Sequence, residues 1–393
     1  MSTFTPLPDA AHPGQAAATL PTPTLLLDAA PFERNLQRLQ AAAQRHGVAV
    51  RPHAKAHKCP AVALAQVRAG AVGICVQKAS EAWPFLEAGV RSVHVSNQLA
   101  GALQAGWLAR WAREGRGVQL SVCVDDVRQV ATLAEAAARE GLAGDQRLGV
   151  FVEIDIGQGR CGVPGADRDA SAVRRLIDAI AAAPGLRWAG LQAYHGGVQH
   201  VRDAAERRAS ARAAADRAGS VVAALQAAGL SPAVVTGSGT GSVGFDLASG
   251  VYTEVQPGSY AFMDRDYADN EAGGDSGGAE DLRFEHALFL FSTVISTATP
   301  GQLVLDCGLK TLSAESGPPQ PWPPRAGWGP VRLNDEHGVV ALAADAAPPV
   351  LGEVVRLIPG HCDPTLNLHD RLVVLRDGRV VDLWPIAARG HSW

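Results

Sequence analysis

Short apolar runs alternate with longer amphipathic runs from residue 48 to residue 256. Eight short runs predict strands at Val48–Ala54, Val72–Val76, Ser92–Ser96, Gln119–Val124, Leu148–Asp155, Arg187–Tyr194, Pro232–Thr236 and Tyr252–Gln256. Helical spacing in the longer runs predicts helices at Phe32–His46, Cys59–Ala69, Ser80–Gly89, Leu99–Arg113, Val127–Glu140, Ala166–Ala182 and Val201–Ala228. Apolar strands that alternate with helices are typical of a parallel sheet. Eight such strands within roughly 220 residues fit an α/β fold of the (β/α)8 TIM-type barrel class. An open doubly wound sheet is the alternative.

The pattern changes at the Gly- and Asp-rich stretch 264–282, which predicts a long loop. From residue 283 onward, strand-like runs follow one another with little helix, as in FEHALFLFSTVIST, GQLVLDCGLK and DRLVVLRDGRVVDLWPI. We therefore predict three parts. These are an irregular N-terminal segment at 1–22, the barrel at 23–275 and a C-terminal mainly-β domain at 283–393, to which strand 24–28 could also belong.

Composition and charge exclude several classes of protein. The net charge is −4, whereas nucleic-acid-binding proteins are usually basic. No apolar run reaches the ~18 residues of a membrane span, and the first residues lack the basic and apolar regions of a signal peptide. The six cysteines form no Cys-x-x-Cys pair, which indicates reduced, mostly buried thiols. These features predict a cytoplasmic enzyme with no nucleic-acid or membrane partner.

Only four lysines occur, at positions 55, 58, 78 and 310. The segment Arg51–Lys58 closes the first predicted strand, and catalytic groups of such barrels lie at the carboxyl ends of strands. On an extended chain, His53, Lys55 and His57 would point to one side. A lysine whose pKa is depressed there can form an imine with an aldehyde cofactor. Lys55 is therefore a candidate cofactor lysine, although a basic surface turn would have the same spacing.

Two further strand ends carry polar candidates. Gly157–Gly162 follows the fifth strand, and its glycines could bring Arg160 close to an anionic oxygen. Tyr194 and His195 follow the sixth strand, where a phenol and an imidazole could move protons. Each group also has an ordinary interpretation, namely a glycine turn with a solvated arginine, or a packed tyrosine beside a hydrogen-bonded histidine.

A loop rich in glycine and hydroxyl groups follows the seventh strand. It comprises Thr236, Gly237, Ser238, Gly239, Thr240, Gly241 and Ser242. Its backbone N–H groups suit a phosphate, and barrels of this type commonly hold phosphate after strands seven and eight. It is not a P-loop, because the Gly-Lys-Ser/Thr signature is missing. The eighth strand end, Gln256–Tyr260, could present Ser259 or Tyr260 to the same phosphate. A plain flexible turn is the alternative.

His361, Cys362 and Asp363 follow a further predicted strand. On an extended chain, residues two apart point the same way, so His361 and Asp363 would share one face. Imidazole and carboxylate are ligands for zinc, manganese or magnesium, with waters completing the shell. The same two residues would also suit an ordinary polar turn.

Together these segments resemble the D-threonine aldolase and D-serine dehydratase family, which has the alanine-racemase-like fold. The resemblance runs from Thr22 to Trp393 and is carried by RPHAKAHK, GQGRCGV, QAYHGG, TGSGTGS, TEVQPGSYAFMD, LDCGLK, NDEHG and PGHCDPTLNLHD. It implies pyridoxal phosphate on Lys55, with Arg160 near the phenolic oxygen of the cofactor and Tyr194 on the reacting face. The remaining residues that it implies are the Gly237–Gly241 loop and Tyr260 for the phosphate, and His361 and Asp363 for a divalent metal.

The metal motif distinguishes two activities within this family. Dehydratase-like members usually have His-x-Cys and aldolase-like members His-x-Asp, and this chain has the second form at 361–363. The resemblance implies a lyase that uses pyridoxal phosphate and manganese, magnesium or zinc. It would cleave D-threonine or 3-hydroxy-D-aspartate to glycine and an aldehyde. Dehydration of D-serine or 3-hydroxy-D-aspartate to a 2-oxo acid and ammonia is the alternative, and an amino-acid racemase and a non-enzymatic cofactor carrier are others. The resemblance also implies a homodimer.

Overall fold

A computed structural model describes residues 11–272 and 282–393 of the chain. Its strands are, in chain order, β1 (Thr24–Asp28), β2 (Ala49–Val50), β3 (Ile74–Val76), β4 (Ser92–Gln98), β5 (Gln119–Val124), β6 (Leu148–Glu153), β7 (Leu186–Ala193), β8 (Val235–Gly237), β9 (Glu254–Val255), β10 (Leu288–Ser296), β11 (Gln302–Leu305), β12 (Gln320–Pro321), β13 (Trp328–Leu333), β14 (Gly338–Leu342), β15 (Val354–Ile358), β16 (Arg371–Arg376) and β17 (Arg379–Pro385). Its α-helices are α1 (Ala29–Arg45), α2 (Pro60–Arg68), α3 (Ala79–Glu87), α4 (Ala102–Glu114), α5 (Val127–Arg139), α6 (Ser171–Ala181), α7 (Ala204–Ala227), α8 (Val243–Leu247), α9 (Arg265–Ala268) and α10 (Cys362–Leu366).

The described residues form two compact units. The barrel unit comprises residues 36–260, 269–272, 282–283 and 387–393. The β unit comprises residues 11–35, 261–268 and 284–386. Each unit is therefore built from separate stretches of the sequence.

The barrel unit contains eight parallel strands in the order β2-β9-β8-β7-β6-β5-β4-β3. Its two edge strands are joined by backbone hydrogen bonds from Val72 to Val50 (2.9 Å) and from Cys75 to Pro52 (2.8 Å). All six residues of β6 are buried, as expected for strands covered by helices on one side and filled by side chains on the other. The predicted barrel is confirmed.

The first barrel strand is shorter than the sequence predicts. β2 ends at Val50, and Ala54–Ala56 form a turn of 3-10 helix. Pro52 has no N–H group to continue the strand ladder. The expectation that His53, Lys55 and His57 alternate on one face of an extended chain is therefore wrong, because the backbone is not extended there.

The predicted barrel helices are present, with shifted ends. In α6, Val173, Leu176, Ile177 and Ile180 are buried at helical spacing. This helix begins later than the predicted Ala166, because residues before Ser171 form turns. Three short helices, α8, α9 and α10, lie where the sequence predicts loop or strand.

The β unit has one sheet in the order β13-β14-β11-β10-β1-β16-β17, with β15 paired to β10 and β12 paired to β15. β1 is antiparallel to β10 and parallel to β16. The predicted mainly-β architecture is confirmed. The predicted loop 264–282 contains α9, and its residues 273–281 lie outside the described residues, as do residues 1–10 of the predicted irregular segment.

Within residues 11–272 and 282–393, no helix is long and apolar enough to cross a membrane. No disulfide joins the six cysteines, and five of them are buried. The predicted absence of a disulfide framework is consistent with these positions.

Candidate active site

The carboxyl ends of the barrel strands carry the residues that the sequence singles out. Lys55 follows β2, Arg160 follows β6, and Tyr194 and His195 follow β7. The glycine-rich loop follows β8, and Gln256–Tyr260 follows β9. The parallel order of the strands places all of these segments at one end of the barrel.

Lys55 lies on the 3-10 turn after β2. His53 precedes this turn and accepts a hydrogen bond from the backbone N–H of Lys55 through Nδ1 (3.3 Å). The other ring nitrogen of His53 bonds the hydroxyl of Ser96 at the end of β4 (2.8 Å). The Lys55 residue itself is exposed. The turn therefore has a fixed start and presents Lys55 to solvent.

Lys58 differs from Lys55 in its surroundings. Its ammonium is 3.2 Å from a carboxylate oxygen of Glu81, and its side chain is only 13% exposed. This lysine is held in an ion pair away from solvent, whereas Lys55 is exposed. Lys55 and Lys58 are therefore in different environments, although they are only three residues apart in the sequence.

Arg160 and Tyr194 meet across neighbouring strand ends. The guanidinium carbon of Arg160 lies 5.3 Å from the centroid of the Tyr194 ring, within cation–π range. Asp155 holds the intervening glycine loop by accepting hydrogen bonds from the N–H groups of Gly157 (2.9 Å) and Gly159 (3.1 Å). Burial opposes ionisation of Asp155, but these backbone bonds prevail and its pKa is lowered. The carboxylate can therefore order the loop that carries Arg160.

His195 is half-buried beside this loop. Burial and the positive charge of Arg217 lower the pKa of His195, although the carboxylate of Asp155 opposes them. A lowered pKa leaves the imidazole neutral near pH 7. A neutral imidazole at the barrel mouth can accept a proton, which is the first requirement of a general base.

The glycines of the loop after β8 are required by close packing. A Cβ atom at Gly237 would collide with the carbonyl of Ala193, and one at Gly241 would collide with the carbonyl of Gln199. Gln199 also accepts hydrogen bonds from the N–H groups of Gly241 (2.9 Å) and Ser242 (3.2 Å) through Oε1. The loop is thus pinned against the chain that follows β7.

Two neighbours fix the middle of this loop. Ser238 has a φ of 73°, a left-handed conformation that is unfavourable for a non-glycine residue. The hydroxyl of Thr240 accepts a hydrogen bond from the backbone N–H of Tyr260 (3.1 Å). The hydroxyl of Tyr260 is buried and accepts a hydrogen bond from Gln66 (3.3 Å), while the backbone of Tyr260 adjoins the loop.

A buried carboxylate beneath the loop is missed by the sequence analysis. Asp246 accepts a hydrogen bond from the hydroxyl of Ser242 (2.5 Å) and a second from Ser238. Complete burial raises the pKa of Asp246 to about 6 despite these bonds. Its spacing from Ser242 on a short helix is the only signal of this contact in the sequence.

A polar network inside the barrel is also missed. Gln256 donates to both Thr236 (2.7 Å) and Gln192 (2.9 Å) through Nε2. Thr236 in turn donates to Glu254 (2.8 Å), whose other oxygen accepts from Arg51 (2.9 Å). Thr236 and Gln256 begin the two segments that are predicted to bind the cofactor phosphate, and in the structure both are buried members of this network.

Glu153 is a further buried acid at the end of β6. Its carboxylate accepts a hydrogen bond from Gln98 (2.5 Å). Burial raises the pKa of Glu153 to about 7, although Gln98 and Arg160 act in the opposite direction. It lies in an apolar predicted strand, so only the tertiary structure identifies it.

His94 is fully buried in the same barrel and packs on the Phe151 ring at 4.6 Å between centroids. Burial, assisted by Arg51, lowers the pKa of His94 to about 3. Between this value and the unfolded pKa near 6.5, only the unfolded chain binds the proton, so stability falls as the pH falls through that window. We expect His94→Gln to remove about 2 kcal/mol of acid destabilisation between pH 6.5 and pH 4.5. Urea unfolding of the parent and the variant at both pH values measures this difference in the free energy of unfolding.

His337→Gln is the matched control for this prediction, because His337 is exposed. The control should keep the pH dependence of the parent protein. Equal pH dependence in both variants would contradict the assignment to His94.

The β unit carries the predicted metal motif. His361 precedes α10, and Asp363 lies in the first turn of that helix, so the predicted extended conformation of this segment is wrong. The two side chains nevertheless converge, with His361 Nε2 3.6 Å from Asp363 Oδ1. Cys362 between them is buried. Glu315, which the sequence analysis missed, bonds the other ring nitrogen of His361 at 2.9 Å.

The surroundings of His361 attract a cation. Burial disfavours its charged form, but Asp363, Glu315 and Asp264 outweigh burial and raise the pKa of His361 to about 9. Asp264 is buried and accepts from the backbone N–H of Cys362 (2.8 Å). An imidazole beside a carboxylate fits manganese, magnesium or zinc. The described parts of the chain contain no group of three or more His, Cys, Asp or Glu side chains that could hold a metal ion.

Comparison with known proteins adds to this geometry. The family described as "Alanine racemase, N-terminal domain" matches residues 27–266, and the family described as "Putative serine dehydratase domain" matches residues 287–375. The D-threonine aldolase of Arthrobacter sp is 48% identical over 386 residues, which are 98% of this chain and 97% of that protein. The 3-hydroxy-D-aspartate aldolase of Paracoccus denitrificans (strain Pd 1222) is 42% identical over 385 residues, 98% of this chain and 96% of that protein. The crystal structure of D-threonine aldolase from Filomicrobium marinum has 45% identity and a TM-score of 0.90, and covers 98% of this chain and 100% of that one.

Proposed function

We propose the function of this chain from its family. The chain belongs to the family of D-threonine aldolase and 3-hydroxy-D-aspartate aldolase, which are lyases with the alanine-racemase-like fold. The resemblance read from the sequence is confirmed, and so are the fold and the enzyme class. The chain is a carbon–carbon lyase of a pyridoxal-phosphate-dependent fold family that acts on a small amino acid. Its proposed reaction is retro-aldol cleavage of a β-hydroxy-D-amino acid to glycine and an aldehyde.

Lys55 is the proposed attachment point of pyridoxal phosphate. The observation that carries this proposal is an exposed lysine on an ordered turn at the barrel mouth, while Lys58 is paired with Glu81. Arg160 and Tyr194 follow β6 and β7 at the same end of the barrel, where a cation and a phenol can orient an anionic aromatic ligand. The Gly237–Gly241 loop offers backbone N–H groups and hydroxyls to a phosphate. When bound, pyridoxal phosphate supplies an electron sink for bond cleavage at Cα.

His195 is the proposed proton carrier of the reaction. Cleavage removes the proton of the β-hydroxyl, breaks the Cα–Cβ bond to release the aldehyde, and leaves Cα to gain one proton as glycine. The atoms balance if one proton moves from the hydroxyl oxygen to Cα. The lowered pKa of His195 makes it able to accept that proton at neutral pH. Tyr194, beside it in sequence, would line the reacting face.

His361 and Asp363 are the proposed metal ligands. Their side chains converge in a cation-attracting pocket of the β unit. A divalent cation there would lower the pKa of a bound hydroxyl toward neutrality. Oxygen ligands with a single imidazole favour manganese or magnesium over a structural zinc site, which usually has four protein ligands. We propose that the β unit, which contains most of the predicted domain 283–393, carries the metal, and that the barrel unit, which contains most of the predicted domain 23–275, carries the cofactor.

Product analysis tests the proposed reaction directly. The purified protein is incubated separately with D-threonine, 3-hydroxy-D-aspartate and D-serine. Glycine with acetaldehyde or glyoxylate is the expected result, and the better substrate identifies the natural specificity. Ammonia with a 2-oxo acid would support the dehydratase alternative, for which the serine dehydratase match at 287–375 is the specific observation.

We further propose a cytoplasmic homodimer. Symmetric dimers are the commonest oligomers. Light scattering of the purified protein should give about twice the 40.9 kDa mass of one chain. A mass near one chain at the assay concentration would contradict this prediction.

A further inference from the structure

The turn that carries Lys55 ends in a strained residue. Lys58 has a φ of 51°, in the left-handed region, which is costly for a residue with a Cβ atom. Its backbone N–H donates to the carbonyl of Ala54 at 2.7 Å, so Lys58 closes the turn that contains Lys55. A strained conformation of this kind persists only where surrounding contacts hold it, and it is often found at functional sites.

Contacts to the side chain of Lys58 hold this conformation from one side. Its ammonium is 3.2 Å from Glu81 Oε1 and donates to the hydroxyl of Ser392 at 3.2 Å. Glu81 is buried, and its other oxygen accepts from the backbone N–H groups of Gln77 (2.8 Å) and Lys78 (3.2 Å). The carboxylate is therefore fixed at the start of α3 and cannot follow Lys58 if the turn moves.

The segment 387–393 holds the backbone of Lys58 from the other side. The N–H of Ala388 donates to the carbonyl of Lys58 at 2.9 Å. Farther along, the N–H and carbonyl of Trp393 both bond the hydroxyl of Ser80 (3.3 and 2.5 Å). The Trp393 ring packs edge-on against Trp107 at 5.2 Å between centroids. The segment thus contacts α3 and α4 through Trp393, and it bonds the turn of Lys55 through Ala388.

We propose that Lys58 is a positioning residue for the cofactor lysine, held in place by Glu81 and by the segment 387–393. This inference rests on the proposed role of Lys55. His53 fixes the start of the turn and Lys58 fixes its end, so the backbone between them is held at both sides of Lys55. Loss of the Lys58 contacts would let its backbone relax and displace the amine of Lys55. A displacement of 1 Å in a reacting group can lower a rate by about a hundredfold.

Lys58→Met is the principal test, because it keeps most of the side-chain volume and removes the charge. We expect about tenfold weaker retention of pyridoxal phosphate and about tenfold lower kcat, with KM little changed. The pH at which the visible absorbance of the bound cofactor titrates should also shift. Lys58→Arg, which keeps the positive charge, should recover most of these losses. Lys310→Met is the matched control, because it removes an exposed lysine–glutamate pair in the β unit.

Ser392→Ala provides a milder second variant that leaves Lys58 itself in place. It should weaken cofactor retention and lower kcat by about threefold each, and should shift the titration pH in the same direction as Lys58→Met. In the double variant Lys58→Met/Ser392→Ala, the fold-loss of kcat should be smaller than the product of the two single fold-losses. Both substitutions remove the same Lys58–Ser392 hydrogen bond.

Two outcomes separate failure of this inference from failure of the proposed function. If Lys58→Met and Ser392→Ala lower only the thermal unfolding midpoint and leave cofactor retention, titration and kcat at parental values, Lys58 is merely structural and the inference is overturned. If Lys55→Ala retains the lysine-bound cofactor absorbance, the proposed cofactor lysine is wrong and the inference falls with it.

Discussion

Lys55→Ala should lose the visible absorbance of the lysine-bound cofactor and lower kcat on the order of a thousandfold or more. Lys55 is exposed and lies at the carboxyl end of β2, on a turn whose start is fixed by His53. Without an amine at this position, the cofactor would keep only noncovalent contacts, for which we propose the loop after β8 and Arg160. Absorbance spectra and glycine production measure the two effects.

The matched control for this variant is Lys78→Ala, which removes another exposed lysine of the barrel unit. It should leave both the absorbance and the rate near parental values. Borohydride reduction followed by peptide mapping identifies the modified lysine independently of activity. Modification of Lys58 in the parental protein would refute the assignment.

Removal of divalent metal should abolish aldolase activity and leave the absorbance of the bound cofactor unchanged. The two proposed ligands, His361 and Asp363, lie in the β unit, whereas Lys55 and the loop after β8 lie in the barrel unit. A Lewis acid on the reacting oxygen stabilises the transition state by several kcal/mol. We therefore expect kcat to fall by about a hundredfold or more after chelation. Manganese should restore the rate.

Asp363→Ala should reproduce the chelated state in the presence of manganese. Electron paramagnetic resonance of added Mn²⁺ measures binding without reference to activity, and this variant should bind the ion more weakly. Asp345→Ala, which removes an exposed carboxylate of the same unit, is the control and should bind Mn²⁺ as the parent does. Full glycine production by a verified metal-free sample would refute the metal role, and His361 and Asp363 would then form an ordinary polar turn.

Asp363→Cys examines the choice between the two activities of the family. It recreates the His-x-Cys pair that dehydratase-like members carry. We expect a larger share of 2-oxo acid among the products of 3-hydroxy-D-aspartate. An unchanged ratio of products would place the determinant of the reaction elsewhere in the chain.

Much of the candidate site can be read from the sequence, because its residues follow strands that the apolar pattern marks. Lys55, Arg160 and Tyr194 were identified in this way, together with the loop after β8. Their proposed roles remain predictions that the experiments above test. The extended backbone predicted at Lys55 and Asp363 is absent from both places, because the chain forms a 3-10 turn at Lys55 and begins a helix at Cys362.

The sequence by itself determined the two architectures of this protein, the order of the motifs and the absence of a disulfide framework. These properties depend on local periodicity, and periodicity reports which side of an element is buried. Only the tertiary structure decided which distant side chains meet. Glu315 reaches His361 from 46 positions away, and Arg51 pairs with Glu254 from 203 positions away. Glu153 and Asp246 acquire raised pKa values because the folded chain removes them from water, a property that no local pattern of residues specifies.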